Sequence, residues 1–213
     1  MRVPNHIGVI PDGNRRWAQE KGLSKQSGYI SGIDPGLILF KQCKAAGVKE
    51  VTFYGFTTDN AKRPVPQKEA FIDACIKAVK LIAMEDAEIL VIGNTNTDLF
   101  PEILLPYTKR KICGKGGIKV NFLINYSWKR DLDFLKESHG GTSNLINEIE
   151  SNEISRVDLI IRWGGRRRLS GFLPVQSVYA DFYVIDDFWP DFKPQHFEEA
   201  LLWYQQQDVT LGG

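Results

Sequence analysis

Three short segments of this chain gather the residue types that hold anions, and the first of them adds a carboxylate. In Ile10-Pro11-Asp12-Gly13-Asn14-Arg15-Arg16-Trp17 an acid is followed at once by glycine, an amide and two arginines. Where a strand ends and a helix begins, the free N–H groups of the first helical turn favour an anion, and Gly13 lets a ligand approach the main chain. The forked donors of Arg15 and Arg16 suit phosphate oxygens. A lone carboxylate beside such a cradle makes sense if a divalent cation joins the two, because Mg²⁺ is held by one or two carboxylates plus substrate phosphates. The same letters also suit an Asp N-cap followed by two solvated arginines.

The second segment, Phe53-Tyr54-Gly55-Phe56-Thr57-Thr58-Asp59-Asn60-Ala61-Lys62-Arg63-Pro64, runs from apolar residues into hydroxyl, carboxylate, amide and guanidinium groups. It suits hydrogen bonds to a substrate, and equally a turn whose Thr or Asp caps the next helix. The third, Arg162-Trp163-Gly164-Gly165-Arg166-Arg167-Arg168-Leu169-Ser170-Gly171-Phe172, puts four arginines, two adjacent glycines and a serine behind an apolar run. Glycines admit backbone donors to a ligand and the arginines can neutralise a diphosphate. Nucleic-acid backbone binding and a solvated basic loop are the competing uses of such a cluster. Asp181, at the entry to the last strand, is expected to meet Asp12 across adjacent strand ends, with an edge or cap carboxylate as its plainer role.

These segments need strands to end them and helices to follow. Apolar or β-branched runs predict strands at His6–Ile10, Glu50–Tyr54, Glu88–Ile92, Ile118–Ile124, Val157–Arg162 and Phe182–Ile185. Helical patterns cover Asn14–Lys21, Pro35–Ala46 and Pro194–Gln205. Another follows Pro64 and Pro66, where Phe71, Ala74, Cys75, Ala78, Leu81 and Ile82 recur along one face. Alternating strands and helices predict an α/β fold, one domain over 1–213 with a mainly parallel sheet. Chemistry then gathers at the carboxyl ends of the strands. Ser138–Asn144 reads as a flexible stretch.

Composition narrows the partners. A formal net charge of +1 gives no global field toward nucleic acid or acidic lipid, so anion binding must be local and no nucleic-acid partner is expected. Cys43, Cys75 and Cys113 form no CxxC pair, and His6, His139 and His196 are scattered, which argues against a zinc site or disulfide framework. No apolar run approaches about 18 residues, and no leader pattern opens the chain. A soluble, cytoplasmic protein is the expectation.

Taken in order, HIGVIPDGNRRWA, FYGFTTDNAKRP, NFLINYSWKRD and DLIIRWGGRRRLSGFLPVQSVYADFYVIDDFWPDF resemble the cis-prenyltransferases, the family of undecaprenyl and dehydrodolichyl diphosphate synthases. The resemblance spans nearly the whole chain. It implies a parallel six-stranded sheet with an elongated hydrophobic cleft and a homodimer, and it leaves peripheral membrane contact open. The implied reaction joins an allylic diphosphate to isopentenyl diphosphate with Mg²⁺. By resemblance Asp12 binds the metal, with Gly13, Asn14, Arg15, Arg16 and Lys25 around the allylic diphosphate, and Trp17 and Tyr29 are counted as substrate-binding. Arg162, Arg168 and Ser170 hold isopentenyl diphosphate, and Asp181 helps place the metal. Phe56, Thr57, Asn60 and Arg63 lie near the reacting carbons, with Asp12, Asn14, Thr57 and Asn60 counted as catalytic.

The chain departs from the family pattern at Tyr29 (commonly His), Ala61 (commonly aromatic), Arg166 (commonly Glu) and Thr210-Leu211-Gly212, where the family has Arg-x-Gly. Some features are similar to cyclolavandulyl diphosphate synthase, so irregular coupling of allylic units stands as an alternative product. A non-catalytic subunit of a heteromeric prenyltransferase is the alternative of another class.

Overall fold

The computed structural model describes residues 2–133 and 148–208. Ser138–Asn144 and Thr210-Leu211-Gly212 lie outside them. The described elements are β1 (His6–Ile10), α1 (Asn14–Glu20), α2 (Lys25–Ser31), α3 (Ile33–Ala46), β2 (Glu50–Tyr54), α4 (Val65–Ile82), β3 (Ala87–Ile92), β4 (Lys111–Cys113), β5 (Ile118–Leu123), α5 (Trp128–Asp133), β6 (Leu159–Arg162), β7 (Asp181–Val184) and α6 (Pro194–Gln205). The strands form one sheet in the order β4-β3-β5-β2-β1-β6-β7.

Six of these strands are parallel, as expected. The seventh, β4, pairs antiparallel with β3 and corrects the strand count. Three residues at a sheet edge are too few to show a period, so β4 left no mark in the sequence. Helix α2 was also unforeseen, because its seven residues carry Gly28 at the centre and no apolar repeat.

Alternation along the inner strands divides the core in two. Ile7, Val9, Val51, Phe53, Ile89, Val91, Val120, Phe122, Leu159 and Ile161 face α3, α4 and α6. Ile10, Leu90, Ile92, Leu123 and Ile160 face Tyr126, Ile154, Val157, Phe172 and Leu173 on the other side. Both faces are covered, which is why the strands read as nearly continuous apolar runs.

Polar groups enter this interior at the amino-terminal pole of the sheet. His6 is fully buried, with Nδ1 donating to the Ser155 carbonyl at 2.9 Å and Nε2 accepting from the Thr52 hydroxyl at 2.8 Å. Asn121 donates to Glu50 and Thr52 beside it. Burial lowers the His6 pKa below its ordinary value, so the ring is neutral.

Candidate active site

The chain leaves β1 for β2 on one side and later returns to place β6 on the other. Such a reversal opens a crevice at the carboxyl ends of the strands. The three chemistry-bearing segments follow β1, β2 and β6, and their side chains line one cleft of about 500 Å³. Asp12, Gly13, Asn14, Arg15, Arg16, Lys25, Tyr29, Thr57, Asn60, Arg63, Arg162, Arg168 and Ser170 all reach it.

Asp12 sits just before α1 rather than on its cap. The N-cap is Gly13, at φ +100°, where an added Cβ would lie 2.5 Å from the Phe188 ring. The left-handed turn thus leaves the carboxylate facing the cleft. Its Oδ1 accepts the Gly13 N–H at 2.6 Å, and its Oδ2 accepts from Arg162 Nη2 at 2.7 Å. Arg16 approaches Oδ1 at 3.7 Å and donates to the Gly164 carbonyl at 2.9 Å. One carboxylate therefore organises the first and third segments together.

The loop after β6 wraps round the Arg162 guanidinium, which is almost fully buried. Arg162 Nη1 donates to the Arg168 carbonyl and, at 3.0 Å, to the Ser170 hydroxyl. Gly164 is left-handed at φ +83°, and a Cβ there would meet Arg16 Nη2 at 2.6 Å. Only glycine lets this turn pass so close to the first segment. Arg166, Arg167 and Arg168 are exposed beyond it, and Arg166 and Arg168 line the cleft.

The second segment forms a turn and still reaches the cleft. Thr57 N–H donates to the Asn60 side chain at 3.0 Å at the start of a 3-10 turn, and both residues still line the cleft. Arg63 donates to the Tyr29 hydroxyl at 2.9 Å, and the Tyr29 ring stacks on Phe71 with centroids 4.6 Å apart. Burial lowers the Arg63 pKa and raises that of Tyr29. At neutral pH the pair is still guanidinium and phenol, since each starts far above 7.

Below the polar cleft lies an apolar pocket of about 80 Å³. Phe71, Ala74, Cys75, Ala78, Leu81 and Ile82 of α4 form one wall, and Phe53 and Phe122 belong to the sheet side. Asn14, Tyr29, Tyr54 and Phe71 line both cavities and mark their junction. Asn14 Nδ2 donates to the Pro11 carbonyl at 2.8 Å, while its amide oxygen is buried without a protein partner.

Three expected site residues fall elsewhere. Asp181 is the first residue of β7, pairing with Leu159, whereas Val184 pairs with Arg162. In a parallel sheet that places it about 10 Å down the strand, toward the pole away from Asp12. The two carboxylates do not meet. Trp17 turns outward to donate to Asp191 at 2.8 Å, and Phe56 is wholly buried behind the edge of Phe71. Conversely, Gln19 and Tyr54 line the cleft without having been expected as site residues, and Arg166, noted as a departure from the family pattern, lines it too. Gln19 lies one helical turn from Arg15, and Tyr54 is the last residue of its strand, so position alone could have flagged both.

Among the described residues no three His, Cys, Asp or Glu side chains gather to cage an ion. Two carboxylates line the cleft against seven cationic side chains; Asp59 is largely exposed beside Lys62, which leaves Asp12 as the donor for an ion. That fits a hard cation whose remaining ligands are phosphate oxygens and water.

A family model described as "Putative undecaprenyl diphosphate synthase" matches residues 10–212. The chain is 32% identical over 236 positions to an isoprenyl transferase of Thermus thermophilus, covering 99% of this chain and 89% of that one. It is 30% identical over 231 positions to an isoprenyl transferase of Lactococcus lactis, covering 99% and 94%. Lavandulyl diphosphate synthase from Lavandula x intermedia, solved in complex with dimethylallyl diphosphate, superposes with a TM-score of 0.84 at 21% identity over 99% of this chain and 98% of that one. At that identity the likeness is one of fold.

Proposed function

Because the chain belongs to the undecaprenyl diphosphate synthase family, we propose that it is a Mg²⁺-dependent prenyltransferase joining an allylic diphosphate to isopentenyl diphosphate to give a short product. The observation that carries this reading is the junction of a cationic cleft with a small apolar pocket. One end suits diphosphates and the other suits a short hydrocarbon.

In the reaction the allylic C–O bond breaks, a C–C bond forms to the second substrate's double bond, and a proton is lost. Arg15, Arg16 and Lys25 hold the allylic diphosphate and disperse the charge it takes as it leaves. Arg162, Arg168 and Ser170 hold the second diphosphate, which fixes the two reacting carbons together. The amide of Asn14, a residue that lines both cavities, sets a dipole beside the junction where the allylic carbon becomes cationic. Tyr29, Tyr54 and Phe71 line that junction and help exclude water, which would otherwise capture the cation. No histidine lines either cavity among the described residues, Asp12 is engaged by Arg162, and Asp59 is largely exposed beside Lys62. The diphosphate oxygens are therefore the proton acceptors in this reading. Mg²⁺, held by Asp12 and the substrate phosphates, would lower the charge of the leaving diphosphate.

The reading includes the homodimer implied by resemblance, which light scattering tests. Among the described residues no helix is long and apolar enough to cross a membrane. The direct test of function is incubation with Mg²⁺ and five-, ten- and fifteen-carbon allylic diphosphates, each with and without isopentenyl diphosphate, followed by mass spectrometry and NMR. Short head-to-tail products support the reading. Branched or cyclic products from an allylic diphosphate alone would replace it with irregular coupling, and no product from any mixture would refute it.

A further inference from the structure

Ser170 carries an unusual backbone for a residue with a side chain, at φ +54°. Such a left-handed conformation persists where its surroundings hold it. Two neighbours hold this one. Arg162 Nη1 donates to its hydroxyl at 3.0 Å, and the Tyr54 phenol donates to its carbonyl at 2.8 Å. Tyr54 reaches it from the end of β2, across β1, whereas Ser170 belongs to the loop after β6.

The Tyr54 ring is well placed to act as a fixed strut. It stands edge-on to Tyr126 and Phe172, with centroids 6.3 Å and 5.4 Å away, and so is braced by the core beneath the loop. The loop has few other constraints on this side. Arg166, Arg167 and Arg168 are exposed, and none has an ion-pair partner among the described residues. Arg162 grips the loop from within through the Arg168 carbonyl, and Tyr54 grips it from the neighbouring strand.

The geometry points to Tyr54 as a positioning residue for the second substrate. Its hydrogen bond keeps Ser170 left-handed, and so presents the Ser170 hydroxyl, with Arg162 and Arg168 beside it, to the isopentenyl diphosphate. Without that bond the loop relaxes toward the right-handed conformation that residues with a Cβ prefer, and the hydroxyl leaves the cleft. The inference rests on the prenyltransferase reading for the identity of the ligand, but the hold on Ser170 is independent of it.

Tyr54→Phe removes the hydroxyl and keeps the ring that packs on Tyr126 and Phe172. The expected result is a KM for isopentenyl diphosphate raised about tenfold, the scale of one hydrogen bond. That rise should exceed any change in the KM for the allylic substrate or in kcat, and the melting temperature should stay close to the parent value. Ser170→Ala alone should raise the same KM, and Tyr54→Phe added to Ser170→Ala should raise it little further, since the two act through one group. An unchanged isopentenyl KM in Tyr54→Phe, or losses that simply add in the double variant, would overturn the proposal. Calorimetric binding of isopentenyl diphosphate and of inorganic diphosphate to the same three variants separates the two claims. If no prenylated product forms, the reading of function fails, while weaker diphosphate binding in Tyr54→Phe still supports the strut and equal binding still rejects it.

Discussion

Replacing Asp12 with asparagine asks whether the carboxylate works through a cation or merely props Arg162. Seven cationic side chains line the cleft against two carboxylates, and one of these, Asp59, is largely exposed and lies 3.4 Å from Lys62. Asp12 is thus the acid that a bound diphosphate must face. A phosphate charge brought to about 4 Å from it is opposed by about 1 kcal/mol in water and about 4 kcal/mol at an effective dielectric of 20. The side chain is one-third exposed, so the lower part of that range applies, about 1–2 kcal/mol. The Asp12→Asn variant is therefore expected to bind diphosphate in chelator about 5- to 30-fold more tightly than the parent.

With Mg²⁺ the order reverses. Asparagine is a weaker ligand for a hard cation, so the metal enhancement of binding disappears and product formation falls by about two to three orders of magnitude. Arg162 keeps its bonds to the Arg168 carbonyl and Ser170 hydroxyl but loses a charged partner. Full burial of such a pair would make this cost about 3–5 kcal/mol, and partial exposure of Asp12 reduces it to about 1–2. The melting temperature should fall by about 2–8 °C. Calorimetry with inorganic diphosphate, in chelator and then in excess Mg²⁺, reads both effects. Weaker binding by Asp12→Asn in chelator would refute the argument, because it would mean the carboxylate serves the arginines and not a cation.

Two further outcomes follow from the interior. Ala78→Leu narrows the apolar pocket from its α4 wall, so kcat/KM for a ten-carbon primer should fall about 10- to 100-fold relative to a five-carbon one; an equal ratio would show that the hydrocarbon lies elsewhere. The folded-state pKa of His6 is depressed below its ordinary 6.5, so the neutral ring contributes stability that is complete above about pH 6.5 and lost as pH falls through the window below it. The urea midpoint should drop more between about pH 7.5 and about pH 5 in the parent than in His6→Gln, and parallel declines would remove His6 as the cause.

Much of the scaffold was legible because local rules and burial agree. β2 and α6 fall where their patterns placed them, since a β-branched and aromatic run suits a buried strand and a helix packed on one side must repeat. The α4 wall was legible for the same reason: Phe71, Ala74, Cys75, Ala78, Leu81 and Ile82 share a face whatever they meet. Helix α2 and strand β4 are too short to carry a period, and pairing alone produces them.

The chemistry of the site was likewise written in three segments, each placed just after a strand, so that one parallel sheet necessarily brings Asp12, Arg63 and Arg162 to the same edge. What the residue types could not express is direction and depth. Asp181 begins its strand instead of ending it, so strand polarity sends it to the other pole. Phe56 and Phe71 are both aromatic, yet packing hides the first and opens the second to both cavities. The bond from Tyr54 to Ser170 joins residues 116 apart in the chain. Types and spacings along a strand are local properties, legible one residue at a time. Which strand stands beside which, and which side chain then caps the pocket, depends on contacts between distant segments that exist only when the whole sheet has closed.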